Sequence, residues 1–554
     1  MVTFRTLIKV MCYPIRRIQI IGSVSYYPAE EFSALNTKSM NQLKSIIEVP
    51  MTEMNIQNIP FTSFLDQLKE KMKHVFHVRA DIDQMATKRG MPPFVMREIM
   101  SLNPLAIGIP AAYGGRGCHM EENIALLACA SYESLALSLT FGINSALFLQ
   151  PVGKYAQEDA KAPIFERFLK MQNMGGLMIT EPDFGSDALN MQTYFTERNG
   201  NYHLKGTKHW AGLTGWAEYW LLTARERSQS GDLKRDIDFF ICDVNSPGQQ
   251  IVVEEFYENL GLYQIPYGRN RLNVEIPKLQ KLVPETTGVK MMLDLLHRSR
   301  MQFPGMAMGF IQRLLDESIA HINQRQIGGR ALFTYDQVQQ RLAKLQASYT
   351  ICSAMCANSS EKAGIENDLS PHGFEANSVK SVVTDLMQEA AQSATQLVGA
   401  QAYKLNHIAG RSITDSRPFQ IFEGSNDILY AQISESLVKM MKKAKESNVF
   451  QFLKTFNLTS KSASFLKEML DFELDMNLSQ RKMVELGQVL GRIVSCEMVI
   501  NLGEKGFRSD LINNGLKMLN QDIEAMMSSF KHQNQTMVVE DYQDNSSWLN
   551  FVHG

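Results

Sequence analysis

The sequence predicts an α+β chain laid out as a helical unit, a β-unit, a second helical unit and a further helical stretch. Three changes of texture carry that expectation. From about Phe61 to Phe168 apolar residues recur every three or four positions, as in Phe64, Leu68, Met72 and Val75, which is the spacing of one helix face. Between Gly175 and about Pro284 the pattern turns to short alternating strands separated by turn clusters such as Asn199-Gly200-Asn201 and Asn245-Ser246-Pro247-Gly248. From Gly288 to about Lys443 the helical period returns, with Leu314, Leu315, Ile319 and Ile322 on one stripe and Leu342, Leu345 and Tyr349 on another.

Within the first helical unit, Arg89-Gly90, Pro92-Pro93 and the Gly/Pro-rich loop from Ile109 to Gly117 separate the helices. In the β-unit, Trp220 to Ala224 and Phe239 to Val244 suit strands buried against neighbours. After Lys443 about 110 residues are again helical, with Leu478, Val484, Val489, Ile493 and Met498 forming an apolar face. Gly487 and Gly491 lie four apart, a spacing that favours close helix packing over membrane insertion here because charged residues interrupt the stretch. The expected boundaries are an N-terminal arm over 1–50, a helical domain over 51–174, a β-domain over 175–285, a helical bundle over 286–443 and an additional helical domain over 444–554.

At 554 residues the chain is too long for one compact core. Hydrophobic residues make up 44% and charged residues 21%, and the net charge of -2 argues against a global nucleic-acid footprint. The seven cysteines lack CxxC pairs, so no metal site is expected, and the thiols read as reduced and mostly buried, in an intracellular compartment. Cys352 and Cys356 fall one helical turn apart, as two small apolar residues on one face. Residues 1–29 hold no Asp or Glu but carry Arg5, Lys9, Arg16 and Arg17, the charge bias of a transit peptide or a membrane-surface arm. Against that stand Pro14 and the scarcity of serine. An upstream translation start is the competing explanation, since Met40, Met51 and Met54 all precede the first convincing globular segment.

Three segments could carry chemistry. Ile179 to Asp187 packs hydroxyls, carboxylates and a glycine into a turn that presents backbone N–H groups, although any Asp/Gly loop does the same. Gly206 to Gly212 sets Trp210 after a basic turn, where the indole could wall a planar ring or simply fill a core. Arg417 to Ile428 ends an apolar strip with Glu423, followed by glycine and small polar residues. The plain reading of Glu423 is an acid in the first turn of a helix; the functional reading is a base.

In their order and spacing, within a helix–β–helix layout, these segments resemble the acyl-coenzyme A dehydrogenase family over about residues 60 to 440. Further matches are Arg300, Arg325 followed by Gly329, Arg330, Val338 and Leu342, and the run Gln396-Leu397-Val398-Gly399-Ala400. The resemblance implies an N-terminal helical domain, a central β-barrel or sandwich-like domain and a C-terminal four-helix bundle. The extra C-terminal helical unit is similar to the extension of the very-long-chain subgroup, which leaves peripheral membrane association open. It implies FAD as cofactor, held by Thr180, Ser186, Trp210, Gly212, Arg325, Gln396, Gly399, Ser425 and Asp427. An acyl-CoA thioester would meet Ser186, Arg300, Glu423 and Gly424.

In this reading Glu423 is the catalytic base that removes the α-proton, and flavin N5 takes the β-hydride to give the trans-2-enoyl thioester. A minority of the family takes its base from the helix that holds Ser299, and here Glu423 is the better candidate. Electrons would pass to an external acceptor of the electron-transfer-flavoprotein kind, and the enzyme would be a homodimer or homotetramer. The chain departs from the family at Gly212, where threonine is common and where Thr214 is the competing alignment, at Gly328 for a common phenylalanine, and at Glu435 for arginine. Two alternatives remain: an acyl-CoA oxidase or flavin monooxygenase on the same fold, and a flavin-poor assembly or scaffold protein. The expected location is cytoplasmic, or the mitochondrial matrix if the basic N-terminus is a transit peptide.

Overall fold

The computed structural model describes residues 56–532 and 536–552, so the basic arm expected over 1–50 lies outside the described residues. Helix α1 (Phe61–His74) buries Phe64, Leu68 and Met72 on one face, and the next turn buries Val75. Helix α2 (Pro93–Met100) starts on proline, whose fixed φ suits a first helical position. Helix α3 (Met120–Glu133) is followed by α4 (Leu135–Asn144), which is capped by the Ser134 hydroxyl accepting from the Leu137 N–H. Helix α5 (Glu158–Met171) closes the unit. The apolar helical run Leu135–Tyr155 is long enough to cross a membrane, yet 94% of its apolar window is buried inside the chain.

Seven strands follow: β1 (Gly175–Met178), β2 (Tyr194–Arg198), β3 (Asn201–Gly212), β4 (Tyr219–Glu226), β5 (Asp238–Asp243), β6 (Gln249–Phe256) and β7 (Tyr267–Pro277). Their order is β1-β4-β2-β3-β7-β6, with β5 also paired to β4. Strand β4 therefore serves three neighbours, running parallel to β1 and β2 and antiparallel to β5. That explains its apolar run, since Tyr219 to Ala224 are all buried. Asn199-Gly200 joins β2 to β3 as a two-residue turn with φ of 50° and 81°, the twist that hairpins favour.

The second helical unit comprises α6 (Gly288–Arg300), α7 (Phe303–Gln324), α8 (Asp336–Lys362), α9 (Gly373–Val398), α10 (Ile408–Ser416) and α11 (Asn426–Ala444). Helices α7, α8, α9 and α11 pack into a bundle, and α7 also packs along α3. Cys352 is fully buried and Cys356 half-buried on α8, where burial pushes the Cys356 thiol up to about 12.

The C-terminal stretch closes onto this bundle through α12 (Gln480–Glu504) and α13 (Ser509–Lys531). Leu486, Val489, Leu490, Ile493 and Val494 are buried, each worth about 1.5–3 kcal/mol over an exposed position. Gly487 lies so close to the Tyr430 carbonyl oxygen that a Cβ would collide with it, and a Cβ on Gly491 would meet Val382 Cγ2 at 2.9 Å. The glycine pair thus serves packing within the chain.

Candidate active site

The loop that holds Glu423 is set by what surrounds it. The segment Arg417–Gln420 forms a 3-10 turn and α11 begins at Asn426 with Ser425 as its N-cap residue. Glu423 sits before the cap, so it is not the first-turn acid of a helix; Asp427 takes that place. Its backbone is left-handed, with φ of 55°, and Gly424 follows at 93°. Such a conformation costs a non-glycine residue free energy and persists when neighbours hold it. A Cβ on Gly424 would meet Leu429 Cδ2 at 2.9 Å, which is why glycine stands there.

The neighbours are unusually polar for a buried place. Arg300 donates from Nε at 3.1 Å and Nη2 at 2.7 Å to the Glu423 carbonyl, and from Nη1 to Asn377 Oδ1 at 2.7 Å. Lys380 donates to the Gly424 carbonyl at 2.8 Å and to Asn426 Oδ1 at 3.0 Å. Two cations therefore clamp Glu423, Gly424 and Asn426. Phe303 meets Phe419 edge to face and Phe422 packs tilted against both, with ring centroids 4.9–5.9 Å apart.

Within this cage Glu423 Oε1 accepts from the Ser299 hydroxyl at 2.7 Å, while Oε2 is buried without a partner. Burial raises the carboxyl above its ordinary range, opposed by Ser299, Arg300 and Lys380. The two cations respond in turn. Burial pulls Arg300 down to about 10 against the pull of Glu423, and burial with the Arg300 charge pulls Lys380 down to about 7. The result is a dry carboxylate with one oxygen positioned and one free, the arrangement a general base requires.

On the β-unit, the other two segments come together. The His209 N–H donates to the Thr180 carbonyl at 2.9 Å, and a buried ion pair fixes the turn below, with Lys208 Nζ 2.7 Å from Glu181 Oε1. Glu181 also accepts from the backbone N–H groups of Gln192 and Thr193. Burial pushes its carboxyl up, and Lys208 with these hydrogen bonds outweighs that and holds it low. Ser186 is exposed and Thr180 half-buried. Strand β3 carries a bulge between His209 and Ala211 where it pairs with β7. Trp210 is the extra residue, at φ of 57° and 52% exposed. Its indole lies 4.5 Å from the Tyr257 ring, forming an aromatic ledge.

Gly212 and Thr214, the two alternatives in the loop after Trp210, differ in burial. Thr214 is fully buried, its hydroxyl donating to the Ala211 carbonyl at 2.7 Å and accepting from Asn270 at 3.0 Å, so that hydroxyl is engaged within the β-unit. Gly212 is half-buried, and a Cβ there would meet Ile143 Cδ1 at 2.8 Å. Ile143 belongs to α4, whose Gly142 abuts Met306 on α7, one turn from Phe303. Helix α4 thus connects the β3 edge to the Glu423 cage. A second link joins Leu262 N–H to Asp415 Oδ1 at 2.6 Å, tying the β6–β7 loop to α10 just ahead of the cage.

Not every expected residue gathers here. Ser425 and Asp427 lie beside Glu423, half-buried and exposed respectively. Arg325 is exposed just beyond α7, at the start of the short hairpin of β8 (Gln326–Ile327) and β9 (Arg330–Ala331). Gln396 and Gly399 are exposed at the far end of α9, about 24 Å along the helix axis from Lys380. Within one protomer these three stand apart from Glu423, next to exposed Ile327, Phe333, Tyr403 and Leu405. A cavity of about 350 Å³ opens on the His297 and Met301 stripe of α6 and is lined by Lys362, Asp368 and His372, on a different face of α6 from Ser299. Sequence reading missed Asn377, Lys380, Asp385 and Asn426 as parts of the site. The one available signal was Lys380, a charge set between Val379 and Val382 on an apolar helix.

Comparison with known proteins places these features in a wider setting. Models for the N-terminal, middle and C-terminal domains of acyl-CoA dehydrogenase match residues 66–172, 176–273 and 286–438. An acyl-CoA dehydrogenase of Bacillus subtilis (strain 168) is 26% identical over 355 residues, covering 62% of this chain and 90% of the relative. The structure of butyryl-CoA dehydrogenase from Megasphaera elsdenii superposes with a TM-score of 0.61 at 20% identity, over 69% of this chain and 99% of that one. That of an acyl-CoA dehydrogenase complexed with FAD from Bacillus anthracis reaches a TM-score of 0.68 at 15% identity, over 87% of this chain and 92% of that one.

Proposed function

Because the chain belongs to the acyl-CoA dehydrogenase family, matched in all three of its domains between residues 66 and 438, we propose that it converts an acyl-CoA thioester to the trans-2-enoyl thioester in an FAD-dependent reaction, with Glu423 as the base. The observation that carries this reading is the buried Glu423 carboxylate, with Oε1 held by Ser299 and Oε2 unpartnered.

An α-hydrogen of a thioester is a poor acid, so its removal needs a base of raised proton affinity and stabilisation of the enolate-like charge. Burial raises Glu423 in the required direction. The Glu423 backbone N–H, in a loop clamped by Arg300 and Lys380, is available to polarise the thioester carbonyl. Arg300, with its donors engaged by Glu423 and Asn377, acts by fixing the base. Gly424 keeps the approach to the thioester free of a side chain, and Ser186 is exposed on the turn of the β-unit that would meet the substrate.

The donor set fits the cofactor: an exposed indole ledge at Trp210, a side-chain-free edge at Gly212, and hydroxyls at Thr180, Ser186 and Ser425, with Asp427 close by. When bound, FAD supplies the two-electron acceptor for the hydride that leaves the β-carbon. Arg325, Gln396 and Gly399, remote from Glu423 in their own protomer, would reach the cofactor of a second copy, which supports a homo-oligomer. Reoxidation falls to an external acceptor of the electron-transfer-flavoprotein kind.

The test is anaerobic mixing of the purified holoprotein with butyryl-CoA, octanoyl-CoA and palmitoyl-CoA, following flavin bleaching. The expected result is rapid bleaching by at least one thioester and a loss of roughly 10²–10⁴-fold in Glu423→Gln with FAD still bound. Fast reduction of the variant refutes the assignment of the base. Hydrogen peroxide released under air at the turnover rate would make the protein an oxidase.

A further inference from the structure

The C-terminal helical unit does more than cover the bundle, because one of its side chains enters the hydrogen-bond system of the base-bearing loop. Arg492, on α12 and 3% exposed, donates from Nη2 to Asp385 Oδ2 at 3.0 Å and from Nη1 to the Tyr430 hydroxyl. Tyr430 in turn donates to the same Asp385 oxygen at 2.6 Å. The other oxygen, Asp385 Oδ1, accepts from Asn426 Nδ2 at 2.7 Å and from Gln420 Nε2 at 2.8 Å. Gln420 and Asn426 stand three residues either side of Glu423. A single carboxylate on α9 therefore grips both ends of the loop with one oxygen, while the extension holds the other.

We infer that Arg492 is a positioning residue for Glu423, acting through Asp385 and Tyr430, and that the C-terminal unit is in this sense part of the active site. The inference rests on the reading of Glu423 as the base. Its physical ground is the left-handed backbone at residue 423, which needs external restraint. Asp385 supplies that restraint only if its carboxylate is fixed and its charge matched, and Arg492 does both from a helix that would otherwise have no bearing on the loop. Gly487 and Gly491 bring α12 near enough to α11 and α9 for the guanidinium to reach.

The experiment uses the full-length holoprotein and three variants. Arg492→Met keeps the aliphatic stem and removes the donors, Arg492→Lys retains the charge, and Asp385→Asn keeps shape while removing the charge. Reduction is followed anaerobically with whichever of butyryl-CoA and palmitoyl-CoA bleaches the wild type faster. Arg492→Met is expected to slow reduction at saturating thioester by about 10–100-fold, the penalty of misplacing a reacting group by roughly an ångström. The half-saturating concentration should be little changed, the pH midpoint of reduction should move upward, and Arg492→Lys should restore most of the rate.

Hydrogen exchange in the peptide spanning 417–426 gives a readout independent of turnover, and it should quicken in Arg492→Met while exchange over 61–171 stays as in the wild type. Wild-type rate, pH profile and loop exchange in a folded Arg492→Met overturn the inference. If that variant does not fold, Asp385→Asn must show the same slowed reduction and quickened loop exchange, and its failure to do so overturns the inference equally. A wild type that no thioester bleaches refutes the dehydrogenase reading instead, and the loop exchange then judges the positional claim alone.

Discussion

Replacing Ser299 by alanine isolates the one hydrogen bond that the base receives on its carboxylate. In the structure Ser299 Oγ donates to Glu423 Oε1 at 2.7 Å, and no other side chain is bonded to either oxygen. A hydrogen bond to a charged group is worth about 1.5–3 kcal/mol, and 1.36 kcal/mol corresponds to one pKa unit. Loss of the bond removes stabilisation of the ionised form, so the carboxyl should rise further, and by less if water enters the space left by the hydroxyl. Arg300 and Lys380 remain and limit the rise. The assay is the anaerobic rate of flavin reduction between pH 5.5 and 9. Because the base works ionised, the rate climbs with pH through the Glu423 midpoint, and in Ser299→Ala that midpoint should move upward with a plateau rate within several-fold of the wild type. An unchanged midpoint would refute the idea that Ser299 tunes the base, and a downward shift would invert its sign.

Glu423→Gln should also stabilise the fold at neutral pH. The carboxyl is raised by burial, so between its unfolded and folded values the folded state binds the extra proton and loses stability as pH rises; the variant lacks that penalty and should melt about 1–4 °C higher at pH 8, with a smaller gain at pH 5. Lys208→Met leaves Glu181 buried without its cation and should cost about 3–5 kcal/mol in chemical unfolding, largely recovered in Lys208→Met combined with Glu181→Gln. Gly487→Ala places a methyl against the Tyr430 carbonyl, costs about 1–3 kcal/mol and should speed limited proteolysis between residues 445 and 531.

What the sequence disclosed, and what it withheld, follows from the range of each interaction. Phe64, Leu68 and Met72 announce α1 because a helix face repeats every three or four residues, and all three are buried. Trp220 to Ala224 announce β4 because a strand with neighbours on every side must be apolar throughout. Glu423 was visible as a candidate through its motif, but whether it opened a helix was not, because that depends on where Ser425 caps α11. The cage was illegible for a different reason. Lys380 and Asp385 reach the loop across 35 to 46 residues of chain, Asn377 meets Arg300 across 77, and Arg492 joins Asp385 across 107. Polar side chains on helices otherwise read as solvent-facing, and no local period records a partner that distant. Ser299 was noted as lacking a carboxylate, while its service as a donor to Glu423 appeared only with the coordinates.

The left-handed backbone at residue 423 also limits what this position can become in a diverging lineage. A β-branched residue is nearly barred from such a φ, while glycine, asparagine and aspartate accept it readily. A descendant that abandoned the chemistry would therefore drift first to glycine or asparagine, keeping the loop intact around a silent centre. Aspartate would satisfy the backbone yet fall a methylene short of Ser299. The geometry of the main chain thus leaves a recognisable trace of lost catalysis, one that can be sought among sequences that retain the clamp but not the acid.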